Sequence, residues 1–281
     1  MHGQTSDISM SKTVGIWAAL TPLMLIILFP FAVMISTAVK PRDEVLAYPP
    51  RWLPSEIRLQ NFVDMWQATQ LGQAVLNSVL VSASATIICL IVAIPAAHAS
   101  ARMDFKGRRL FRQFLLVTQM LSPIVLVLGI FRLMARMGLV DQLPALVLGY
   151  VAFNLAFGVW MLQAYFQTIP KELEEAAILD GASPLQRMWL VFLPLAAPAI
   201  GITAVFVFIN CWNEFVLAMT LLRSPEHNTL TFQVFSLVGG RYRIEWDHVM
   251  AATLVASVPA AVVFALLQRY LVSGLTVGAV K

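Results

Sequence analysis

Residues 168–187 read TIPKELEEAAILDGASPLQR and form a short charged segment between two long apolar stretches. Pro170 suits the first position of a helix, and the acidic residues that follow it favour the positive end of the helix dipole. Gly181 is suited to the left-handed conformation that ends a helix. Ser183, followed three residues later by Gln186, predicts a capping box that begins a second helix. We therefore predict two short helices that meet near Gly181.

The stretches on either side of this segment belong to a chain that is apolar throughout. Of its 281 residues, 59% are hydrophobic and 12% are charged, whereas soluble domains have roughly 45–50% and about 25%. The mean hydropathy is +0.78. These values exclude a soluble enzyme, a disordered chain and a disulfide scaffold. The net charge of +4 does not indicate nucleic acid, because the basic residues lie mostly between apolar blocks. The sequence predicts an all-α integral membrane protein.

Stretches without Asp, Glu, Lys or Arg mark the candidate transmembrane helices, because a span needs about 20 mostly apolar residues. A signal peptide has an apolar region of only about 7–15 residues. The first stretch, Thr13–Val39, is longer, so we expect it to be a retained span. The sequence predicts one transmembrane domain over residues 1–281, with six transmembrane helices and a loop, 169–192, between helices four and five. The spans are expected at 14–39, 73–100, 113–131, 143–168, 197–219 and 249–268.

Basic residues set the expected orientation, since loops rich in Lys and Arg remain on the cytoplasmic side. The 19 Lys and Arg residues divide almost evenly between the two sides of a six-span protein. Their density is uneven, because five of them crowd into Arg102–Arg112, between the second and third spans. We therefore expect this loop, the 169–192 loop and both termini to be cytoplasmic.

Signals for catalysis, metals and disulfides are weak. Cys89 and Cys211 lie inside apolar stretches, where a free thiol behaves as a small hydrophobe. The four histidines have no metal-ligand spacing, and the sequence contains no GxxxxGK[ST] phosphate-binding loop. We predict no catalytic residue, no metal and no cofactor bound by this chain, and no hydrolysis of ATP by this chain alone.

The charged segment carries a family resemblance. Glu175, Ala176, Ala177 and Gly181, followed by Val191-Phe192-Leu193-Pro194, resemble the EAA signature of permease subunits of bacterial ABC importers. The signature usually has Ile where Val191 stands, which is a conservative difference. In that family the loop docks into a cleft on the ATP-binding subunit and transmits its closure to the membrane helices. The resemblance implies a cytoplasmic coupling loop, with ATP and Mg bound by the partner ATPase. The coupling residues it implies are Glu175, Ala176, Ala177, Asp180 and Gly181.

The resemblance covers nearly the whole chain and narrows to the carbohydrate-uptake branch, with likeness to the smaller, inner permease of the maltose importer. The segments that carry it are Lys40-Pro41, Trp52-Leu53-Pro54, Trp212-Asn213-Glu214-Phe215 and the tail from Gln268 to Lys281. It implies a sugar or sugar-like solute and a bacterial cytoplasmic (inner) membrane. It also implies three kinds of partner: a second permease in a hetero-dimer, two ATP-binding subunits and an extracytoplasmic solute-binding protein. The identity of the sugar stays open, and a polyol derivative is an alternative.

Asn210, Asn213 and Glu214 form the clearest polar group at an apolar stretch. Offsets of three and four place them on one face of a continuous fifth span. Since polar groups in hydrocarbon are costly, they indicate a face that lines the path of a hydroxyl-rich solute. One alternative is hydrogen bonding between helices, which we prefer for Asn210, and another is a position of Glu214 at the lipid–water interface. Hydrogen bonding between helices is also our interpretation of the isolated polar residues Asn77, Ser78, Gln119 and Asn154.

Two other classes of function, an ion-gradient-driven transporter or channel and a membrane enzyme, fit the sequence less well. An ion-gradient-driven secondary transporter or channel predicts ionisable relays deep in several spans, but Glu214 is the one acidic residue that we expect there. A membrane enzyme needs clustered nucleophiles, bases or metal ligands, and the sequence has no such cluster. The permease interpretation is therefore preferred.

Overall fold

The computed structural model describes residues 10–239 and 244–277, with side chains over 16–239 and 244–265. Every regular element within these ranges is helical, in agreement with the all-α prediction. A π-helical turn covers Met188–Phe192, and a 3-10 turn covers Pro225–His227. The α-helices are α1 (Met10–Ala38), α2 (Arg42–Val45), α3 (Gln60–Ala68), α4 (Leu71–Arg102), α5 (Arg108–Met120), α6 (Pro123–Arg136), α7 (Leu143–Phe166), α8 (Lys171–Leu179), α9 (Pro184–Arg187), α10 (Leu193–Leu195), α11 (Ala197–Asn213), α12 (Val216–Leu221), α13 (Leu230–Ser236) and α14 (Trp246–Val277).

Length and apolar composition identify the helices that can cross a membrane. Within the described residues, four helices meet these criteria alone. Two pairs of helices meet them only if each bent pair is counted as one span: α5 with α6, bent by 100°, and Pro184–Leu195 with α11, bent by 78°. Residues 10–239 and 244–277 therefore provide four to six candidate spans, where the sequence predicts six. The four that qualify alone are Ile16–Ala38, Leu71–Arg102, Leu143–Phe166 and Trp246–Ala265.

The third expected span, 113–131, is not one continuous helix. α5 ends at Met120, α6 begins at Pro123, and the chain turns by 100° between them. Leu121 and Ser122 are extended, with ψ angles of 121° and 132°. Proline removes a backbone donor and disfavours a helical conformation in the residue before it. The region expected as the third span therefore consists of two helices joined at a sharp break.

The fifth expected span, 197–219, is also interrupted. α11 ends at Asn213, and Glu214 is extended, with a ψ angle of 132°. The Glu214 carboxylate accepts hydrogen bonds from the backbone amides of Leu217 and Ala218, and such local bonds compete with the continuation of a helix. Glu214 therefore lies between the two helices and caps the first turn of α12 instead of extending α11. The common helical face expected for the three polar residues does not form.

The described residues fall into two compact units. One contains the described parts of 1–69 and 237–255, and the other contains Gln70–Ser236 and the residues from Ala256 onward. In the smaller unit, the Asn61 side chain caps the end of α1, since its amide nitrogen donates to the carbonyls of Ala38 at 3.0 Å and Lys40 at 2.8 Å. These bonds satisfy carbonyls that the helix itself leaves without partners.

The core of the larger unit is made by α4, α7 and α11. Gly158 of α7 allows these helices to approach closely. A Cβ atom at this position would lie 3.3 Å from Ala93 Cβ and 3.4 Å from Cys89 Sγ on α4, and 3.8 Å from the methyl group of Thr203 on α11. Small residues commonly permit such close packing between membrane helices, so Gly158 is a three-helix contact point.

Asp141 holds the loop between α6 and α7 against the segment that follows α12. Its carboxylate accepts hydrogen bonds from the amides of Arg223 at 2.8 Å and Ser224 at 2.9 Å, and from the Ser224 hydroxyl. These bonds, above all those from Ser224, hold the pKa of Asp141 well below its usual range. The ionised carboxylate is therefore part of the folded structure of this loop.

Candidate functional site

α8, Gly181 and α9 form the two-helix segment that the sequence predicts, with Pro170 just before the first residue of α8 instead of at its first position. Gly181 has a φ angle of 80°. Its amide donates to the Ile178 carbonyl at 3.0 Å, and the amide of Ala182 donates to the Ala177 carbonyl at 2.9 Å. These two bonds are the Schellman arrangement that ends a helix. A left-handed φ is costly for residues with a side chain, which explains glycine at this position.

The second short helix begins with the expected capping box. The Gln186 amide donates to Ser183 Oγ at 3.3 Å, and the Ser183 amide donates to Gln186 Oε1 at 2.8 Å. An ion pair joins the two helices, because Arg187 Nη1 lies 3.4 Å from Glu174 Oε1 on α8. Their side chains are only 16% and 18% exposed. The helix-ending bonds at Gly181, the capping box of α9 and this ion pair together fix the angle between α8 and α9.

The residues expected to couple to an ATPase lie at the surface of this segment. Ala177 is partly covered, whereas the other four are exposed: Glu175, Ala176, Asp180 and Gly181. Apolar side chains beside them are exposed as well, including Leu179 at 88% and Ile178 at 50%. An exposed apolar patch rimmed by charged residues is typical of a protein-interaction surface.

Arg102, at the end of α4, connects this segment to the long helices. Its guanidinium donates to the carbonyls of Phe166, at 2.6 Å, and Ile169, at the end of α7. The same group lies 5.1 Å from the ring centroid of Phe192, in the turn after α9. Phe192 is fully buried and packs edge-on against Phe166 and His98. The α8–α9 segment and the turn after it are therefore in direct contact with the ends of both α4 and α7.

A separate pocket of about 310 Å³ lies among α5, α6, α7 and α11. Both helix interruptions open on it: Leu121 and Pro123 flank the break between α5 and α6, and Glu214 forms the break after α11. Irregular backbone at membrane depth is tolerated where it lines a cavity or is covered by protein. The lining residues are Thr118, Gln119, Leu121, Pro123, Tyr150, Phe153, Asn154, Phe157, Asn210 and Glu214.

The Glu214 side chain is fixed in place by backbone donors. Oε1 accepts from the Leu217 amide at 2.9 Å, and Oε2 accepts from the amides of Leu217 at 3.2 Å and Ala218 at 3.4 Å. The Glu214 carbonyl accepts from the Thr231 hydroxyl at 2.8 Å. Carboxylates have more acceptor positions than these bonds occupy. Glu214 can therefore cap α12 and also accept hydrogen bonds from a molecule in the pocket.

Two asparagines form the opposite polar part of the lining. The Asn210 side-chain amide donates to Asn154 Oδ1 at 3.2 Å, and the Asn154 amide donates to the Tyr150 carbonyl at 2.9 Å. Tyr150 is buried and lines the same pocket. Asn210 therefore makes the contact between helices that the alternative interpretation expects, and it also lines the pocket.

The structure brings together only part of the predicted polar group. Asn210 and Glu214 line the pocket, but Asn213 is exposed and does not. Gln119 and Asn154 line it too, although the expectation for both residues is hydrogen bonding between helices. The signal was their position well inside expected spans, where polar residues indicate function. Tyr150 had no comparable signal, because aromatic residues are common in apolar helices.

Asn77 and Ser78, in contrast, hold loops against α4. The Asn77 amide donates to the carbonyls of Glu226, at 2.8 Å, and Asn228, at 3.0 Å. The Leu230 amide donates to the Ser78 hydroxyl at 2.7 Å. Both residues make packing contacts, but Asn77 bonds carbonyls of the 225–228 segment and not another membrane helix. Within the described residues, no group of three or more His, Cys, Asp or Glu could hold a metal ion.

Comparison with known proteins adds to this geometry. The family model of the binding-protein-dependent transport system inner membrane component matches residues 85–277. The diacetylchitobiose uptake system permease protein DasC of Streptomyces coelicolor is 35% identical over 270 residues, which are 95% of this chain and 97% of that protein. The trehalose/maltose transport system permease protein MalG of Thermococcus litoralis is 34% identical, over 92% of this chain and 93% of that protein.

The fold is also similar to a solved structure. A crystal structure of a bacterial ABC transporter involved in the import of the acidic polysaccharide alginate contains a chain that matches with a TM-score of 0.79 and 25% identity. The match covers 93% of this chain and 98% of that one. Together with the helices that can cross a membrane, these similarities identify an inner-membrane transport subunit. The chain belongs to the family of binding-protein-dependent transport system inner membrane components, the permease subunits of ABC importers.

Proposed function

We propose that this permease forms half of the transmembrane path of an ATP-driven importer for a sugar or sugar-like solute. It acts with a second permease, two ATP-binding subunits that hold ATP and Mg, and an extracytoplasmic solute-binding protein. It crosses the membrane six times, with the two bent pairs as the third and fifth spans and both termini cytoplasmic. Its relatives DasC and MalG are permeases for diacetylchitobiose and for trehalose/maltose, and this supports a carbohydrate solute.

The observation that carries the proposal is the exposed α8–Gly181–α9 segment. It presents Leu179 and Glu175 outward, while the turn that follows it is packed under the ends of α4 and α7 through Phe192 and Arg102. A partner that displaces α8 can therefore act on α4 and α7 through these contacts. This arrangement suits coupling between an ATPase and the membrane path, and it gives an ion-gradient-driven transporter no comparable advantage.

The polar pocket is our candidate for the solute path. Its amide, hydroxyl and carboxylate groups offer both donors and acceptors, which a hydroxyl-rich solute needs when it leaves water. Its volume of about 310 Å³ is near the lower end of the range for small-molecule sites. Such a pocket holds a small part of an oligosaccharide at a time. Aromatic side chains at Phe153 and Phe157 supply the apolar faces against which sugar rings pack.

Site-specific cross-linking tests the coupling. We expect Leu179→Cys, on α8, to cross-link to the ATP-binding subunit in membranes that contain the assembled transporter. Leu46→Cys is the matched control, because Leu46 is 75% exposed and lies in the segment expected on the outer side. Cys89 and Cys211 are both buried and free, so their background labelling is low. Cross-linking at Leu46, or none at Leu179, contradicts the coupling role.

Labelling of single cysteines tests the orientation. Lys106→Cys should react with an impermeant maleimide only after the cells are opened, whereas Trp52→Cys should react in intact cells. Both side chains are exposed, so a difference in labelling reports the side of the membrane and not burial. Reaction of Lys106→Cys in intact cells overturns the orientation.

A further inference from the structure

The basic loop Arg102–Arg112 is more than a signal for orientation, because three of its cationic side chains bind backbone carbonyls. Arg102 donates to the end of α7. Arg108 donates to the carbonyls of Ser100 and Ala101 at 2.9 Å each, and Arg112 donates to the Ser100 carbonyl at 2.6 Å. Basic side chains at a helix C-terminus satisfy such carbonyls and favour the helix dipole. These three arginines are therefore engaged in the fold.

Two cationic side chains of the same loop are not engaged in this way. Lys106 and Arg109 are exposed and make no hydrogen bond or ion pair with the residues that the structure describes. Both line an open groove of about 810 Å³. The one carboxylate in the groove, Asp104, lies 2.7 Å from Arg108 Nη1, so its charge is balanced. The groove therefore offers two unpaired positive charges.

The wall of this groove changes from charged to apolar along α5. Arg109, Gln113 and Leu116 line the groove at helical spacings of four and three. Met120, four residues further on, lies on the same stripe, and Leu116 and Met120 are 53% and 83% exposed. The eleven residue steps from Arg109 to Met120 span about 16 Å at ~1.5 Å per residue. This is close to half of the roughly 30 Å hydrocarbon core.

We propose that this groove binds an anionic phospholipid of the cytoplasmic leaflet. The phosphate lies between Lys106 and Arg109, and an acyl chain follows α5 past Leu116 to Met120. The inference rests on the cytoplasmic placement of this loop in the proposed function. A soluble anion uses only the charged end of the groove, and an acidic protein surface does not match an apolar stripe of this length. A lipid matches the charged end of the groove with its headgroup and the apolar stripe of α5 with its acyl chain. Basic pockets at the cytoplasmic ends of membrane helices select anionic headgroups.

Lipid retention measures this site directly. The assembled transporter is reconstituted in vesicles of equal parts phosphatidylglycerol and phosphatidylcholine, extracted under mild conditions, and its retained lipids are counted by native mass spectrometry. We expect preferential retention of phosphatidylglycerol, weakened on the order of fivefold for each charge removed, in Lys106→Gln, in Arg109→Gln and in the double variant. The control is Arg132→Gln with Arg136→Gln, which removes two charges from α6, outside the groove.

Each outcome decides the proposal. Equal retention by the double variant and the wild type, or an equal loss in the control, overturns the lipid site. Displacement of the lipid by 10-fold excess inorganic phosphate identifies a soluble-anion site and also overturns it. Loss of the second permease from the variant complex, with lipid retention unchanged, assigns the groove to a protein partner instead. The assay uses neither solute nor ATP, so a failed lipid site with normal ATP-dependent uptake leaves the proposed function intact.

Discussion

Replacing Glu214 by alanine is expected to destabilise the protein more than replacing it by glutamine, although both changes remove the same charge. Glu214 accepts hydrogen bonds from the amides of Leu217 and Ala218, and both of these residues are fully buried. Alanine leaves the two amides without an acceptor. Glutamine keeps one carbonyl oxygen in the same place, so it retains most of the cap.

The magnitude follows from the capping bonds. Loss of a capping side chain costs about 0.5–2 kcal/mol, and a buried donor without a partner costs about 1–3 kcal/mol. We therefore expect Glu214→Ala to lower the free energy of unfolding by about 1–2 kcal/mol. Glu214→Gln loses chiefly the interaction of the charge with the helix dipole, about 0.3–1 kcal/mol. At roughly 2–4 °C per kcal/mol, the melting temperature falls by about 2–8 °C for Glu214→Ala and by about 1–4 °C for Glu214→Gln.

Uptake by the same variants tests the other role of Glu214. A hydrogen bond to a charged group contributes about 1.5–3 kcal/mol, so loss of the carboxylate from the solute path slows uptake by roughly tenfold or more in both variants. The measurements are thermal unfolding of the purified complex and solute uptake per assembled transporter. Asn213→Ala is the control, because Asn213 is adjacent but does not line the pocket. An unchanged melting temperature for Glu214→Ala refutes the capping argument, and normal uptake with Glu214→Gln refutes the role in the path.

Three further changes test the coupling turn, the helix core and the outer loop. Gly181→Val should cost about 1–2 kcal/mol at its left-handed φ and abolish ATP-dependent uptake, whereas Gly181→Asn, which tolerates this conformation better, should retain most of it; equal uptake by the two variants contradicts this. Gly158→Leu should overpack the three-helix contact and lower the free energy of unfolding by about 1–3 kcal/mol. In the same thermal assay, Gly201→Ala should be neutral or slightly stabilising, because a Cβ atom there meets nothing within 4 Å. Because the pKa of Asp141 is lowered in the folded protein, its contribution to stability is complete above the ordinary aspartate pKa of about 4 and declines as the pH falls through the folded-state value. Asp141→Asn should therefore be less stable at pH 7 and lose less stability than the wild type between pH 5 and pH 3; parallel pH profiles would refute this.

The conformation of the α8–Gly181–α9 segment could be predicted from the sequence because its signals are local. Gly181 and the Ser183–Gln186 pair act on backbone groups within a few residues of themselves, so their structural role is the same wherever the segment lies in the fold. The ion pair between Glu174 and Arg187 has no such signal, because the two residues are thirteen positions apart and approach only after Gly181 turns the chain. The local conformation of this segment could thus be predicted from the sequence, but the ion pair that holds its two helices together could not.

By itself the sequence determined the all-α membrane class, because apolar composition decides which segments leave water, and it located the turn at Gly181. An apolar residue count treats 113–131 and 197–219 as uniform and misses their breaks, which arise locally at Pro123 and Glu214. Only the tertiary structure decided what these two breaks face. The pocket follows from those breaks: Gln119, Asn154 and Glu214 come from separate helices and meet only when α5, α7 and α11 pack. Hydrophobicity selects the segments that enter the membrane, but it acts equally in all directions around each helix. The polar residues that face one another are therefore chosen by helix packing and by the local hydrogen bonds that end each helix.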